Sequence, residues 1–158
     1  MNNTLPIHFA PLQGYTEAAY RNAHAAVFGG IDVYHTPFVR VDRGEFRHKD
    51  VRDILPENNR VARLIPQLIA SEADKTERMI ALFIEQGYRE IDIKLGCPFP
   101  MLAKRQCGSG MLPYPDKVEA LLKQTEQFPD IRFSVKMRLG WEKPDECLSL
   151  IPDRKSVV

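Results

Sequence analysis

A thiol, Cys97, stands between a glycine and a proline at the end of an alternating apolar run, in the stretch "EIDIKLGCPFP" of residues 90–100. A free thiol is mostly protonated at neutral pH, so in such a place it can give up a proton to a bound substrate. Acting as a nucleophile it would need cations nearby, and Lys94, Lys104 and Arg105 are the local ones. Gly96 lets a flat ligand approach the backbone, and Pro98 fixes the turn that aims the thiol. Two further cations, Lys136 and Arg138, alternate along "RFSVKMRLG". Buried on one face, they demand an anion, either protein carboxylates or a bound group such as a reduced flavin. Gln67 offers a donor and an acceptor to the edge of a heterocycle. Lys104 and Arg105 open the loop "KRQCGSGMLPYPD", which has the side chains and backbone N–H groups to contact phosphates.

Other chemistries are disfavoured. No carboxylate pair accompanies these residues, against glycosidase-type acid and base work. "CGSGM" lacks the spacing of a serine nucleophile elbow. Three cysteines without a C-x-x-C pair, and four histidines without ligand spacing, give neither a disulfide framework nor a zinc or other metal site.

The elements that must position these groups alternate along the chain. Strands are predicted over residues 6–12, 32–41, 61–71, 90–98 and 131–140. Helices are predicted between them over 16–30, 71–88 and 115–128, with another starting near 143. Thr16 is the expected N-cap of the first helix, and Ser71 with Asp74 the expected capping pair of the second. Residues 42–59 read as a charged surface loop with some helix.

Such alternation predicts a parallel sheet covered by helices, either doubly wound or closed into a barrel. The first strand-to-helix joint, "LQGYTEA", lacks a dinucleotide or Walker glycine pattern. In the fifth strand Phe133, Val135, Met137 and Leu139 oppose Ser134, Lys136 and Arg138; in the fourth Ile91, Ile93 and Leu95 oppose Asp92, Lys94 and Gly96. A sheet covered on both faces would be apolar on both. One polar face suits a barrel interior opening into a site at the strands' C-terminal ends, where Pro11, Leu12, Gln67, Cys97, Lys136 and Arg138 would meet.

With 158 residues, 44% hydrophobic and 27% charged at a net charge of +1, the composition is that of one ordinary globular domain. Near-zero charge gives no general argument for a polyanion. No apolar run is long enough to span a bilayer, and the N-terminal residues lack a signal-peptide pattern, so no membrane partner and a cytoplasmic location are expected.

Four segments together resemble the tRNA-dihydrouridine synthase family: "APLQGYTEAAYR", "PQLIAS", "IDIKLGCPFPMLAKRQCGSGML" and "FSVKMRLGW", in family order across about residues 6–142. The resemblance implies a TIM (β/α)8 barrel, here about its first five β/α units over residues 1–152, with 153–158 a non-native tail. It implies FMN as cofactor, NADPH as reductant and tRNA as substrate. Cys97 would protonate C5 of a uridine while hydride reaches C6 from the flavin, and Pro11, Leu12, Gln67 and Lys136 would hold the flavin. Lys94 stands where the family has an asparagine expected to touch flavin or uridine. With Lys104, Arg105 and Arg138 it makes the expected substrate-facing set. With five strands of eight, the chain alone is expected to be inactive and to bind flavin weakly. Competing expectations are another FMN-dependent barrel oxidoreductase, a Schiff-base aldolase using Lys136, and a non-catalytic RNA-binding relic.

Overall fold

In the computed structural model, residues 5–150 are described; the proposed tail at 153–158 lies outside them. Six short parallel strands form two three-stranded sheets. The first contains β1 (His8–Phe9), β2 (Val33–His35) and β5 (Leu64–Ile65), and the second β6 (Gln67–Ile69), β7 (Glu90–Leu95) and β8 (Arg132–Met137), each in the spatial order given.

The expected third strand is split at Pro66, which has no N–H to give to a ladder, so β5 pairs with β2 while β6 pairs with β7. A parallel bridge between Val39 and Leu68, and the bond from Asp92 N to the Pro66 carbonyl (2.9 Å), carry the pairing across the break. The strands thus succeed one another in chain order without reversal. That is how consecutive strands run around a barrel, whereas a doubly wound sheet turns back at a switch point.

Helices cover the apolar side. In α3 (Ala73–Glu85), Met79, Ile80 and Phe83 are fully buried, and in α5 (Pro115–Thr125) Val118 and Leu121 are buried. They pack in one core with Leu68, Ile91, Ile93 and Leu95. Each such side chain contributes about 1.5–3 kcal/mol when removed from water. The expected pattern therefore holds for β7 and most of β8, though Leu139, beyond the end of β8, is exposed.

The expected irregular loop contains more order than its charge pattern suggested. Strands β3 (Val41–Asp42) and β4 (Glu45–Phe46) form a hairpin, turned by Arg43 and Gly44, both at positive φ. Helix α2 (His48–Ile54) follows.

Both predicted helix caps are displaced. Helix α1 (Ala18–Val27) has Glu17 at its N-cap without a side-chain bond, because the Thr16 hydroxyl is taken by Leu12 N (2.8 Å). The carboxylate of Asp53 in α2 instead accepts the Ala18 N–H at 2.6 Å, bridging 35 residues. Glu72 precedes α3, and neither Ser71 nor Asp74 makes the expected reciprocal bonds; the Ser71 carbonyl accepts from Thr76 Oγ1 at 3.4 Å. The helix expected after residue 143 is only a 3-10 turn, Glu146–Ser149, within the described residues.

Candidate active site

In a parallel ladder, register partners stand side by side on the same face. Gln67, Asp92 and Ser134 form one such row across β6, β7 and β8, and Ile69, Lys94 and Lys136 form the next row towards the C-terminal ends. Alternation places both rows on the face opposite the helix-covered core. Gln67, Lys94 and Lys136 therefore share one face, Gln67 a row deeper than the two lysines.

The deeper row is hydrogen-bonded. Gln67 is fully buried, and its Nε2 donates to Asp92 Oδ2 at 2.5 Å, while Ser134 Oγ donates to Asp92 Oδ1 at 2.8 Å. Gln67 Oε1 is buried without a hydrogen-bond partner among the described residues. An acceptor in that condition costs about 1–3 kcal/mol, so it marks a place for an outside donor. Towards β1 the polar face continues in His35, whose Nε2 lies 3.0 Å from His8 Nδ1. Burial pushes the His35 imidazole below its usual pKa; Asp92 opposes this, and His8, Lys136 and Arg63 reinforce it.

Lys94 is the electrostatic node of the upper row. Its half-buried ammonium lies 5.6 Å from the centre of the Phe38 ring. Burial holds its pKa below the ordinary lysine range; Cys97 and Asp92 oppose the shift, and Lys136 adds to it. Lys136 and Arg138 are exposed on this side.

Beyond β7, Gly96 runs close to β8: a Cβ there would lie 3.5 Å from both Arg138 Cγ and the Lys136 carbonyl oxygen. Cys97 is half-buried. Its carbonyl accepts from Ser109 N (3.1 Å) and Ser109 Oγ (2.7 Å). Gly108 permits this return, because its φ is +57° and a Cβ would come within 3.0 Å of Cys97 Cβ. The turn at 107–109 thereby clamps the thiol-bearing residue from behind.

Of the first-strand residues, Pro11 is buried and Leu12 is 59% exposed. Gln13 binds this loop to the segment after β2, accepting from Phe38 N at 3.0 Å. Lys104 and Arg105 follow α4 (Pro100–Ala103) and are exposed, but they separate. Lys104 lines a cleft of about 420 Å³ with Tyr114 and Trp141, whereas Arg105 lines another of about 430 Å³ with Arg40, Arg43 and Phe99. Sequence reasoning placed Asp92 and Ser134 on the polar face without giving them a task. It gave none to His35 or Phe38 either, whose partners come from β1, β7 and the first loop.

No group of histidine, cysteine or carboxylate side chains among the described residues could hold a metal, and no helix there is long and apolar enough to cross a membrane.

Comparison with known proteins adds a further finding. The family described as dihydrouridine synthase matches residues 8–152. The "tRNA-dihydrouridine synthase B" of Klebsiella pneumoniae is 28% identical over 138 residues, covering 84% of this chain and 41% of that protein. The "tRNA-dihydrouridine(16) synthase" of Pseudomonas putida is 30% identical over 152 residues, covering 91% of this chain and 47% of that protein. The chain spans a little under half the length of these relatives.

Proposed function

Since the chain belongs to the dihydrouridine synthase family, we propose that it forms the cofactor-facing part of an enzyme reducing the C5–C6 bond of uridine in tRNA, with FMN as cofactor and NADPH as reductant. The observation carrying this reading is the buried, unpartnered Gln67 oxygen, set one row below Lys94 and Lys136 on a face that runs towards Cys97. An oxygen seeking an N–H, with the exposed ammonium of Lys136 one row beyond it, suits the polar side of an isoalloxazine. Pro11, Leu12, Gln67 and Lys136 would hold it, as the first five units of a TIM barrel.

FMN, when bound, supplies the hydride that adds at C6. The chain's own part is to deliver the proton: the Cys97 S–H bond breaks, a C–H bond forms at C5, and the thiolate is reprotonated from solvent. Arg138, Lys104, Arg105 and the arginines of the neighbouring cleft would draw in the RNA backbone. The target base must leave its stack to reach such a site. Family membership favours this reading over a Schiff base at Lys136.

The visible spectrum of the complete enzyme tests the proposal. Flavin bands should vanish on adding NADPH and return on adding tRNA. A protein that stays colourless after reconstitution with FMN, or one whose reduced bands ignore tRNA, would refute it.

Lys94 gives a second test. Its ammonium is partly desolvated, and it stands where the family has an asparagine expected to touch flavin or uridine. Lys94→Asn in the complete enzyme is expected to raise dihydrouridine formation about tenfold, equivalent to ~1.4 kcal/mol of barrier. Unchanged turnover, measured by nucleoside mass spectrometry, would show that the lysine is no obstacle.

A further inference from the structure

Asp92 lies at the middle of the buried row and touches nothing but the row itself among its side-chain hydrogen bonds: Gln67 Nε2 on one oxygen and Ser134 Oγ on the other. It is 3% exposed, and Gln67 is fully buried. A carboxamide can turn over about its last bond and exchange its oxygen for its NH2 at little cost in shape. A carboxylate beside it removes that freedom, because it accepts and does not donate. The NH2 must therefore face Asp92, and Oε1 must face away, where it is left without a partner.

We infer that Asp92 is a positioning residue that fixes the Gln67 oxygen, Oε1, towards the ligand, so that the atom of the heterocycle edge seated opposite that oxygen must be an N–H. For the flavin reading, on which this part rests, that edge is the imide N3–H between two carbonyls. A pyrimidine-like imide has the same chemistry. An edge that set a carbonyl oxygen opposite Oε1 would be disfavoured, since the two would meet oxygen to oxygen, while the second Nε2 N–H stays open to a carbonyl beside it.

Two measurements test this. The first needs no ligand: in the 15N spectrum of the chain, one Nε2 proton of Gln67 is expected downfield and slow to exchange. Asp92→Leu, branched at the same atom but bulkier and without an acceptor, should lose that signature, and Ser134→Ala should keep it. A Gln67 amide that exchanges freely in the wild type, or is unaltered by Asp92→Leu, overturns the inference whether or not flavin binds.

The second is a binding titration of the complete enzyme with FMN and with N3-methyl-FMN, followed by flavin fluorescence. The wild type and Ser134→Ala should prefer FMN by about tenfold or more, the scale of a lost hydrogen bond to a buried acceptor. Asp92→Leu should prefer it by less than about threefold, because the freed amide can turn its NH2 to a ring carbonyl. Equal wild-type affinity for the two flavins overturns the inference even if the leucine variant does not fold. A wild type that shows the Gln67 signature yet takes up neither flavin overturns the flavin reading and upholds the orienting role.

Discussion

Replacing Cys97 with alanine is expected to slow dihydrouridine formation by the complete enzyme about 10²–10⁴-fold, while leaving flavin reduction by NADPH unchanged. The range is that of a positioned general acid. The split follows from where the thiol stands. It lies past the end of β7, apart from the deeper Gln67–Asp92–Ser134 row to which the cofactor contact is assigned. Its backbone is held by Ser109 and by the close approach of Gly108, neither of which depends on the sulfur. Truncation should therefore remove a proton donor without loosening the loop or the flavin. Rapid mixing separates the two half-reactions. A Cys97→Ala enzyme that returns its reduced flavin to the oxidised state with tRNA at the wild-type rate would exclude the thiol as the acid. Cys97→Ser should fall between, because a hydroxyl can donate but is a far weaker acid.

How much of this was legible in the sequence depends on the range of the interactions involved. The period-two alternation in residues 90–95 and 132–137 is local, and it correctly put Asp92, Lys94, Ser134 and Lys136 on one side and the core residues on the other. The resemblance segments fall on the first loop at Pro11, on β6 at Gln67 and just past the end of β7 at Cys97. Register is not local. Nothing in "PQLIAS" or "EIDIK" says that Gln67 meets Asp92 rather than Lys94, so the amide's fixed orientation and orphaned oxygen could not be read.

Helix caps failed for the same reason. Thr16 has the right chemistry and the right place, yet its hydroxyl is bound to the first loop, and the cap arrives from Asp53 on another helix. Pro66 was visible as a residue that cannot sit in a central ladder, but the strand around it was still read as one. A bridge at Val39 restores the continuity that the proline removes.

The same long-range arrangement makes Arg21 the residue whose loss should most damage the fold. In the sequence it sits in an alanine-rich helix and looks like a solvated side chain; in the structure it is fully buried. Its guanidinium donates to the Thr16 carbonyl (2.7 Å), Asp53 Oδ2 (3.0 Å), the Asp53 carbonyl (2.9 Å) and Asn59 Oδ1 (2.7 Å). It ties α1, α2 and the segment after α2 into one unit. Arg21→Met fills much of the space but strands the Asp53 carboxylate, which keeps Ala18 N as its remaining donor. Losing one partner of a buried pair costs about 3–5 kcal/mol, a large share of the ~5–15 kcal/mol that holds a domain together. Urea unfolding of the chain should show an unfolding free energy lowered by that amount. Arg21→Met combined with Asp53→Leu should recover part of it, because the stranded charge is then gone. The recovery is incomplete, since the Ala18 N–H also loses its acceptor. A single Arg21→Met change costing less than about 1 kcal/mol would mean that the cluster is solvated and that packing alone fastens these helices.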